Sequence, residues 1–570
     1  MKKKRAPAPE APPPAPPRSS LAALSALAAA AGLGAWLGLG FVASAAATYD
    51  EPLHLASGWS YLTTGRYFLN ITDHPPLAEM WAALPLAALK PAAMTGHPDF
   101  AARRRYAFAD RFLYGNTVDA ERLLNTARRF NFLTLFLGLA AVLALWARRL
   151  SGWEAAAGAV AAAALSPVLV SNLALVTTDG LPAVLFAASF WLLSRPERDR
   201  AVWAAAGAAA GLAMAGKFSM ASLAPLAPVL VLAERRLRGE RPFSREALVG
   251  LLVWAAAAAL AVAAVYRFGQ AGLFFEGLRE TLSRLDQGRS SYLLGRHTVR
   301  GTLAYFPAAL FAKTPLALLA LSGWGAWTSW RRERPEERLW LLAPPAAFFA
   351  LALTAKVQIG VRHLLPVLPF LALWCGLAAA DLARRGAAAR LALAALALWA
   401  GASVVGARPH LLSYFNEAAG GPAGGREWLL DSNLDWGQDL KGLAAELKAR
   451  GNPPVYLAYF GVADPAYYGI RYVQALANWN VPRPGDDLDP AAGGGPVLFA
   501  VSATNLKGVY LSDHGLLSWL ESRAPVAAPG QSILLYDLSS DLDGRRRLAE
   551  LLALSRHPAA AGLSKGLLLQ

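Results

Sequence analysis

The sequence predicts an all-α polytopic membrane protein of about eleven transmembrane helices, followed by a C-terminal α/β extracytoplasmic domain. Three observations carry this expectation. Of 570 residues, 55% are hydrophobic and only 16% charged, with a mean hydropathy of +0.33, a balance that fits a chain solvated mostly by lipid. Eleven apolar runs recur as far as about residue 406 and then cease. Counted by alternating sides from a cytosolic N-terminus, inner segments hold 22 Lys/Arg, while the short outer turns plus loop 268–302 hold 8. That asymmetry orients helices.

Residues 1–19 are basic and Pro-rich, too poor in apolar surface to fold, and read as a disordered cytoplasmic tail. The run from Leu21 to about Ala46 is the first span. A cleaved signal peptide is its rival, given Ala43-Ser44-Ala45, but the run is longer than a signal core. The first outer loop, 47–127, contains the apolar stretch Leu77 to Leu89, broken by Glu79 and Pro85. Its length suits an interfacial or re-entrant helix. Counting it as a span would reverse every later side and destroy the charge pattern.

Further runs follow at 130–147, 153–175, 180–194, 201–216, 218–233, 248–267, 303–327, 338–355, 363–380 and 389–406. Together with the first span and its loops they define a transmembrane domain over 20–406. Loop 268–302 carries Arg289, Tyr292, Arg296 and His297 and reads as a cover for an outer site or as a headgroup-contacting loop. An odd number of crossings puts 407–570 outside. There, Trp428 to Arg450 reads as a helix, and alternating segments at 455–460, 497–502 and 532–537 read as strands, which gives a small α/β domain.

The formal charge of +16 does not indicate nucleic-acid binding, because the basic clusters sit between apolar runs rather than along one soluble face. The single cysteine, Cys375, lies inside an apolar run and reads as a small buried hydrophobe. No P-loop, dinucleotide fingerprint or Ser-His-Asp spacing is present.

The candidate chemistry gathers at the outer ends of the spans. Asp50 and Glu51 follow the first span, and acids at a membrane edge are functional candidates. An ordinary carboxylate is ionised at neutral pH and is available as a general base. The pair also reads as a solvated helix end. His74-Pro75-Pro76-Leu77 fixes the backbone at a helix start and holds His74 at its mouth, as a phosphate or acceptor contact or as an interfacial histidine. Asp179 reads equally as a site residue and as a helix cap. Lys217, Lys313, Arg362 and His363 are assigned to the same face: Lys313 lies within an apolar run, where an ammonium is expensive unless it faces water, an acid or a phosphate, Arg362 can grip a phosphate, and Lys217 and Arg362 read equally as snorkelling to headgroups. Asp50, Glu51, Asp179 and His74 could surround a divalent cation, but arginine and lysine on the same face can neutralise a phosphate without one.

Taken in order, Tyr49-Asp50-Glu51, His74-Pro75-Pro76-Leu77, Arg128-Arg129-Phe130, Thr178-Asp179-Gly180-Leu181, Gly216-Lys217 and Arg362-His363-Leu364-Leu365-Pro366 resemble one family. It comprises the polyprenyl- or dolichyl-phosphate-sugar-dependent glycosyltransferases of the protein O-mannosyltransferase type. These have the GT-C fold and include the aminoarabinose transferases. The resemblance covers about 20–406. It implies Asp50 as catalytic base, with Glu51 supporting acceptor or loop geometry. It also implies lipid phosphate held by Arg128 or Arg129, Lys217 and Arg362, and inversion at the anomeric carbon. His74 stands where the aminoarabinose branch has lysine, which leans toward the mannosyltransferase pattern.

The expected activity is transfer of a sugar from a polyprenyl-phosphate donor to a hydroxyl of a protein, lipid or glycan. The reaction would take place at the periplasmic face of a bacterial inner membrane. The alternatives are a lipid-linked-sugar transporter or flippase, and a non-catalytic membrane assembly protein. Segments Tyr414-Phe415-Asn416-Glu417 and Leu434-Asp435-Trp436-Gly437-Gln438 resemble the tails of bacterial members, with no role derivable from sequence.

Overall fold

The computed structural model describes residues 18–476, 481, 483, 495–554 and 560–569. The expected disordered tail lies outside the described residues, except that Arg18 and Ser19 open the first helix. Every predicted apolar run becomes helix, but the runs are unequal. Among the described residues, six helices are long and apolar enough to cross a bilayer unbroken: Leu21–Ser44, Ala120–Ser151, Phe218–Leu237, Arg245–Val265, Val361–Arg384 and Ala387–Gly406.

Two more crossings arise if each bent pair counts as one span: Trp153–Ala164 with Pro167–Ala174 at 67°, and Tyr305–Lys313 with Leu316–Trp330 at 113°. Both breaks fall at a proline, whose ring and missing N–H interrupt the helical ladder. Of the other runs, Gly180–Leu193 has 14 residues, about 21 Å of helix, which is short of a hydrocarbon core. The run Pro335–Leu353 begins with Glu336 and Glu337 in its first turn. Hydropathy reports that a segment is apolar; it does not report where the helix breaks. The expected interfacial stretch forms two short helices, Leu77–Ala83 and Leu86–Leu89, interrupted at Pro85.

Helices Arg200–Gly216 and Arg245–Val265 pack closely because Gly207 and Gly211 have no side chain. A Cβ there would lie 2.1 Å from the Trp254 carbonyl oxygen and 2.2 Å from that of Ala258. Small residues four apart permit such an approach between membrane helices. Leu252, Leu260, Leu391 and Leu398 are exposed along Arg245–Val265 and Ala387–Gly406, as expected of surfaces that face acyl chains.

The C-terminal region contains a four-stranded sheet made of β3 (Val455–Ala458), β4 (Tyr472–Gln474), β5 (Leu498–Ser502) and β6 (Ile533–Asp537), in the order β4-β3-β5-β6. Strand β3 runs parallel to β4 and β5, while β5 and β6 are antiparallel. Alternate residues enter two cores. Val455, Leu457, Leu498 and Ala500 pack with Leu443 of helix Leu440–Ala449 and also with Leu53, Phe108 and Phe112 of the first loop. Tyr456, Phe499 and Val501 pack with Leu548 and Leu552 of helix Leu542–Leu554. One face of the sheet is thereby fixed to the loop that carries Asp50.

The helix expected over Trp428 to Arg450 begins only at Leu440. Asp431 takes φ +56°, and Asp431, Ser432, Asn433 and Asp435 direct side chains to backbone groups, which competes with helix formation. Strand β4 and the hairpin β1 (Ser291–Leu293) with β2 (Arg296–Thr298) were not anticipated; three-residue strands show almost no alternation.

Candidate active site

Asp50 occupies the N-cap position of helix Glu51–Thr64, yet its side chain makes no capping bond. The next residue has a different fate. Glu51 is fully buried and faces Arg128, which is also fully buried. Glu51 Oε1 accepts from Arg128 Nε at 2.8 Å and from the Val176 amide at 2.9 Å. Oε2 accepts from Arg128 and from the Thr48 amide at 2.9 Å. Burial alone pushes the Glu51 carboxyl up; the Arg128 charge and these bonds outweigh it and hold it below the usual range. Arg128 also donates to the Ala45 and Ala46 carbonyls, each at 2.8 Å. The pair staples the end of the first span to the second long helix and to the segment before Asp179. Sequence reasoning placed Glu51 with the catalytic groups and Arg128 with the phosphate ligands, but both side chains are spent on each other. Arg129, beside them, is exposed.

Asp50, half-buried, lies 3.4 Å from Arg362. Arg362 is also 3.2 Å from Asp179, which forms an ion pair with Lys217. Like Asp50, Asp179 sits at a helix N-cap without making a capping bond, so the cap reading gives way to the ion-pair one. Burial raises the Asp179 carboxyl, but Lys217 and Arg362 outweigh it and hold the group far below the usual range. The local sequence explains the convergence. A side chain at Gly216 would collide with Pro182 at 2.8 Å, so this glycine lets Lys217 reach the start of helix Gly180–Leu193. A Cβ at Gly360 would lie 2.1 Å from Ser432 Oγ, so that glycine admits the C-terminal segment beneath Arg362.

His74 contacts Thr178 Oγ1 at 3.2 Å and lies 5.1 Å, ring to ring, from His54. Burial and the His54 ring push it well below the ordinary imidazole range, so it faces the cluster neutral. His54 is itself bonded to Glu79 at 2.8 Å. His363 sits beside Phe306, close enough to Asp179 and Lys217 to feel their charges.

Lys313 departs from expectation. It is buried and donates to the Leu412 carbonyl at 2.8 Å and to those of Tyr414 and Asn433, with its ammonium 4.2 Å from the Phe415 ring. These bonds satisfy an ammonium that would be expensive bare, and they leave it no part in the open cluster. Asp50, Glu51, Asp179 and His74 do not converge as metal ligands, since Glu51 is turned to Arg128. Among the described residues no group of three or more His, Cys, Asp or Glu is arranged to hold a metal ion.

The tail segments acquire roles. Trp436 lies under the Arg362 guanidinium at 4.2 Å, Ser432 Oγ accepts from Arg362 Nε at 3.1 Å, and the Trp436 carbonyl accepts the Tyr49 amide at 2.9 Å. Asn416 donates to the Thr314 carbonyl at 3.0 Å and so stitches the sharp bend after Lys313. In the sequence they carried a resemblance to the tails of bacterial members and no role.

Residues 125–271 match the sequence family described as dolichyl-phosphate-mannose-protein mannosyltransferase. That stretch includes Arg128, Asp179 and Lys217 but not Asp50 or Arg362. The architecture matches the crystal structure of ArnT from Cupriavidus metallidurans in the apo state, with a TM-score of 0.50 and 15% identity over 91% of this chain and 98% of that one. The chain has the GT-C fold of ArnT. The structure of the same ArnT bound to undecaprenyl phosphate matches equally, with a TM-score of 0.50 and 15% identity over the same shares, 91% and 98%. No curated protein matches in sequence. Against the GT-C frame, Asp50, Asp179, Lys217 and Arg362 stand where the ends of separate apolar helices meet.

Proposed function

We propose that this chain is an integral-membrane glycosyltransferase that moves a sugar from a polyprenyl-phosphate donor to an acceptor hydroxyl, with Asp50 as general base. The observation that carries this reading is the four-membered cluster in which Arg362 touches both Asp50 and Asp179, and Asp179 pairs with Lys217. Two acids and two cations cancel, so without an anion the acids act as the counter-charge. A donor phosphate entering between Arg362 and Lys217 competes with Asp50 for Arg362 and frees that carboxylate for the acceptor. The likeness to mannosyltransferases and the undecaprenyl-phosphate complex of ArnT supports the donor class.

In the reaction, the acceptor oxygen attacks the anomeric carbon and its proton passes to Asp50. The bond from that carbon to the phosphate oxygen breaks, and the electron pair leaves with the polyprenyl phosphate. The leaving phosphate gains a negative charge, which Arg362 and Lys217 stabilise more in the transition state than in the ground state. Attack from the face opposite the phosphate inverts the centre. The site faces the periplasm and the N-terminus the cytosol, in accord with the positive-inside asymmetry.

Asp50→Asn is expected to reduce transfer about 10²–10⁴-fold while binding undecaprenyl phosphate at least as tightly as the native protein, since the carboxylate that competes for Arg362 is gone. Full transfer by this variant, or cytosolic labelling of a cysteine placed at residue 50, would remove the proposal.

A further inference from the structure

Beside Asp50 runs an array that donor chemistry does not use. Tyr49 stacks on Phe460 with centroids 5.2 Å apart and an interplanar angle of 29°, and it meets Tyr106 edge-on at 6.2 Å. Phe460 stacks in turn on Tyr510 at 5.5 Å and 15°. The Arg289 guanidinium lies 5.1 Å from the centre of the Tyr510 ring, and the Tyr510 hydroxyl is fixed by Asp431. The row draws Tyr106 and Tyr49 from the first loop, Phe460 and Tyr510 from the C-terminal region, and Arg289 from loop 268–302. All four rings are half-buried and Arg289 is exposed. Tyr106 and Arg289 both lie near enough to Asp50 to feel its charge. Among the described residues Arg289 makes no ion pair, and its exposed guanidinium is held beside Tyr510.

The chemistry of this surface favours one ligand class. Offset aromatic rings leave strips of ring face and edge open, and the C–H face of a sugar packs on such strips. A guanidinium presents parallel N–H groups that match two neighbouring hydroxyls. A polypeptide held by strand addition needs a free strand edge. Strand β1, just after Arg289, has none, since β2 pairs one side and Leu429 bridges Leu293 on the other, reinforced by Leu294 N donating to the Trp428 carbonyl, and β3, just before Phe460, is paired on both sides by β4 and β5. An acyl chain would need unbroken apolar surface, which three tyrosine hydroxyls and a guanidinium interrupt.

We infer that the row Tyr106–Tyr49–Phe460–Tyr510, ended by Arg289, is the acceptor subsite and that it takes a saccharide, one of whose hydroxyls meets Asp50. This rests on the transferase reading given above and specifies its acceptor. Loop 268–302 and the C-terminal region then act together as the far wall of the site.

The test is saturation-transfer NMR and affinity measurement on the full chain in lipid nanodiscs. The probes are maltotriose and chitotriose, a Ser/Thr-rich peptide, and undecaprenyl phosphate. The expected result is transfer to ring C–H protons of a trisaccharide, with affinity about tenfold weaker in Tyr510→Ala, Phe460→Ala and Arg289→Ala, the loss of one stacking or charge contact. Tyr510→Phe, which keeps the ring, restores most of the signal and shows that the change is not misfolding. Binding of the peptide alone, of neither saccharide, or of saccharide with unchanged affinity in folded Phe460→Ala and Arg289→Ala would overturn the inference. Failure of the donor reading is separate: it appears as unchanged undecaprenyl-phosphate affinity in Arg362→Ala, whatever the saccharide result.

Discussion

Replacing Glu51 by glutamine separates a structural acid from a catalytic one next to it. Both members of the Glu51–Arg128 pair are inaccessible to solvent, and five donors converge on the carboxylate: two from Arg128, two from Thr48 and the Val176 amide. Glutamine turns one oxygen into an NH2 that faces other donors, and it leaves the Arg128 charge among neutral oxygens alone, its own amide oxygen and those of Ala45, Ala46 and Asn125. Removing one partner of a buried pair costs about 3–5 kcal/mol. Arg128→Gln should cost a similar amount, and the double variant less than the sum by about 2 kcal/mol, because each single change strands the other group. The cycle is read by reversible unfolding in mixed micelles, followed by circular dichroism, with transfer measured per folded molecule. The carboxyl is held below its ordinary range in the folded chain, so the pair contributes fully above about pH 4.5. That contribution is lost as pH falls through the depressed folded-state value. Acid should therefore destabilise the native protein more than Glu51→Gln. If Glu51→Gln unfolds like the native chain but transfers no sugar, the structural assignment is wrong and Glu51 belongs with Asp50.

Arg362→Lys keeps the charge but cannot span Asp50 and Asp179 together, and it should weaken undecaprenyl-phosphate binding about tenfold, measurable by titration in nanodiscs. Lys313→Met strands three backbone carbonyls now served by one ammonium and should cost about 1–3 kcal/mol, while the KM for donor stays constant; a raised KM would return Lys313 to the site. Gly207→Val would drive a side chain into the Trp254 carbonyl and lower the unfolding midpoint sharply. Gly323→Val, where a Cβ meets nothing within 4 Å, serves as the matched control and should differ little from native.

Hydropathy is a local sum, so sequence alone settled which segments are apolar helices and where their charged ends lie. Alternation over eleven runs leads to the expectation that Asp50, Asp179, Lys217 and Arg362 share one side; the structure brings the four together, although six to eight of its described helices or bent pairs are long enough to cross. The three-dimensional structure decided which of those charges remain open. Glu51 and Asp50 are neighbours in the chain, yet one is turned inward to an arginine 77 positions away and the other faces the cluster half-exposed. Lys313, inside an apolar run, and Arg362, at the end of one, were both expected to be cations of the same face. The carbonyls of residues 412, 414 and 433 claim the first, while Trp436 and Ser432 steady the second. Such pairings depend on which distant groups packing brings within about 3 Å, where a hydrogen bond forms, and no property of a single segment encodes that choice.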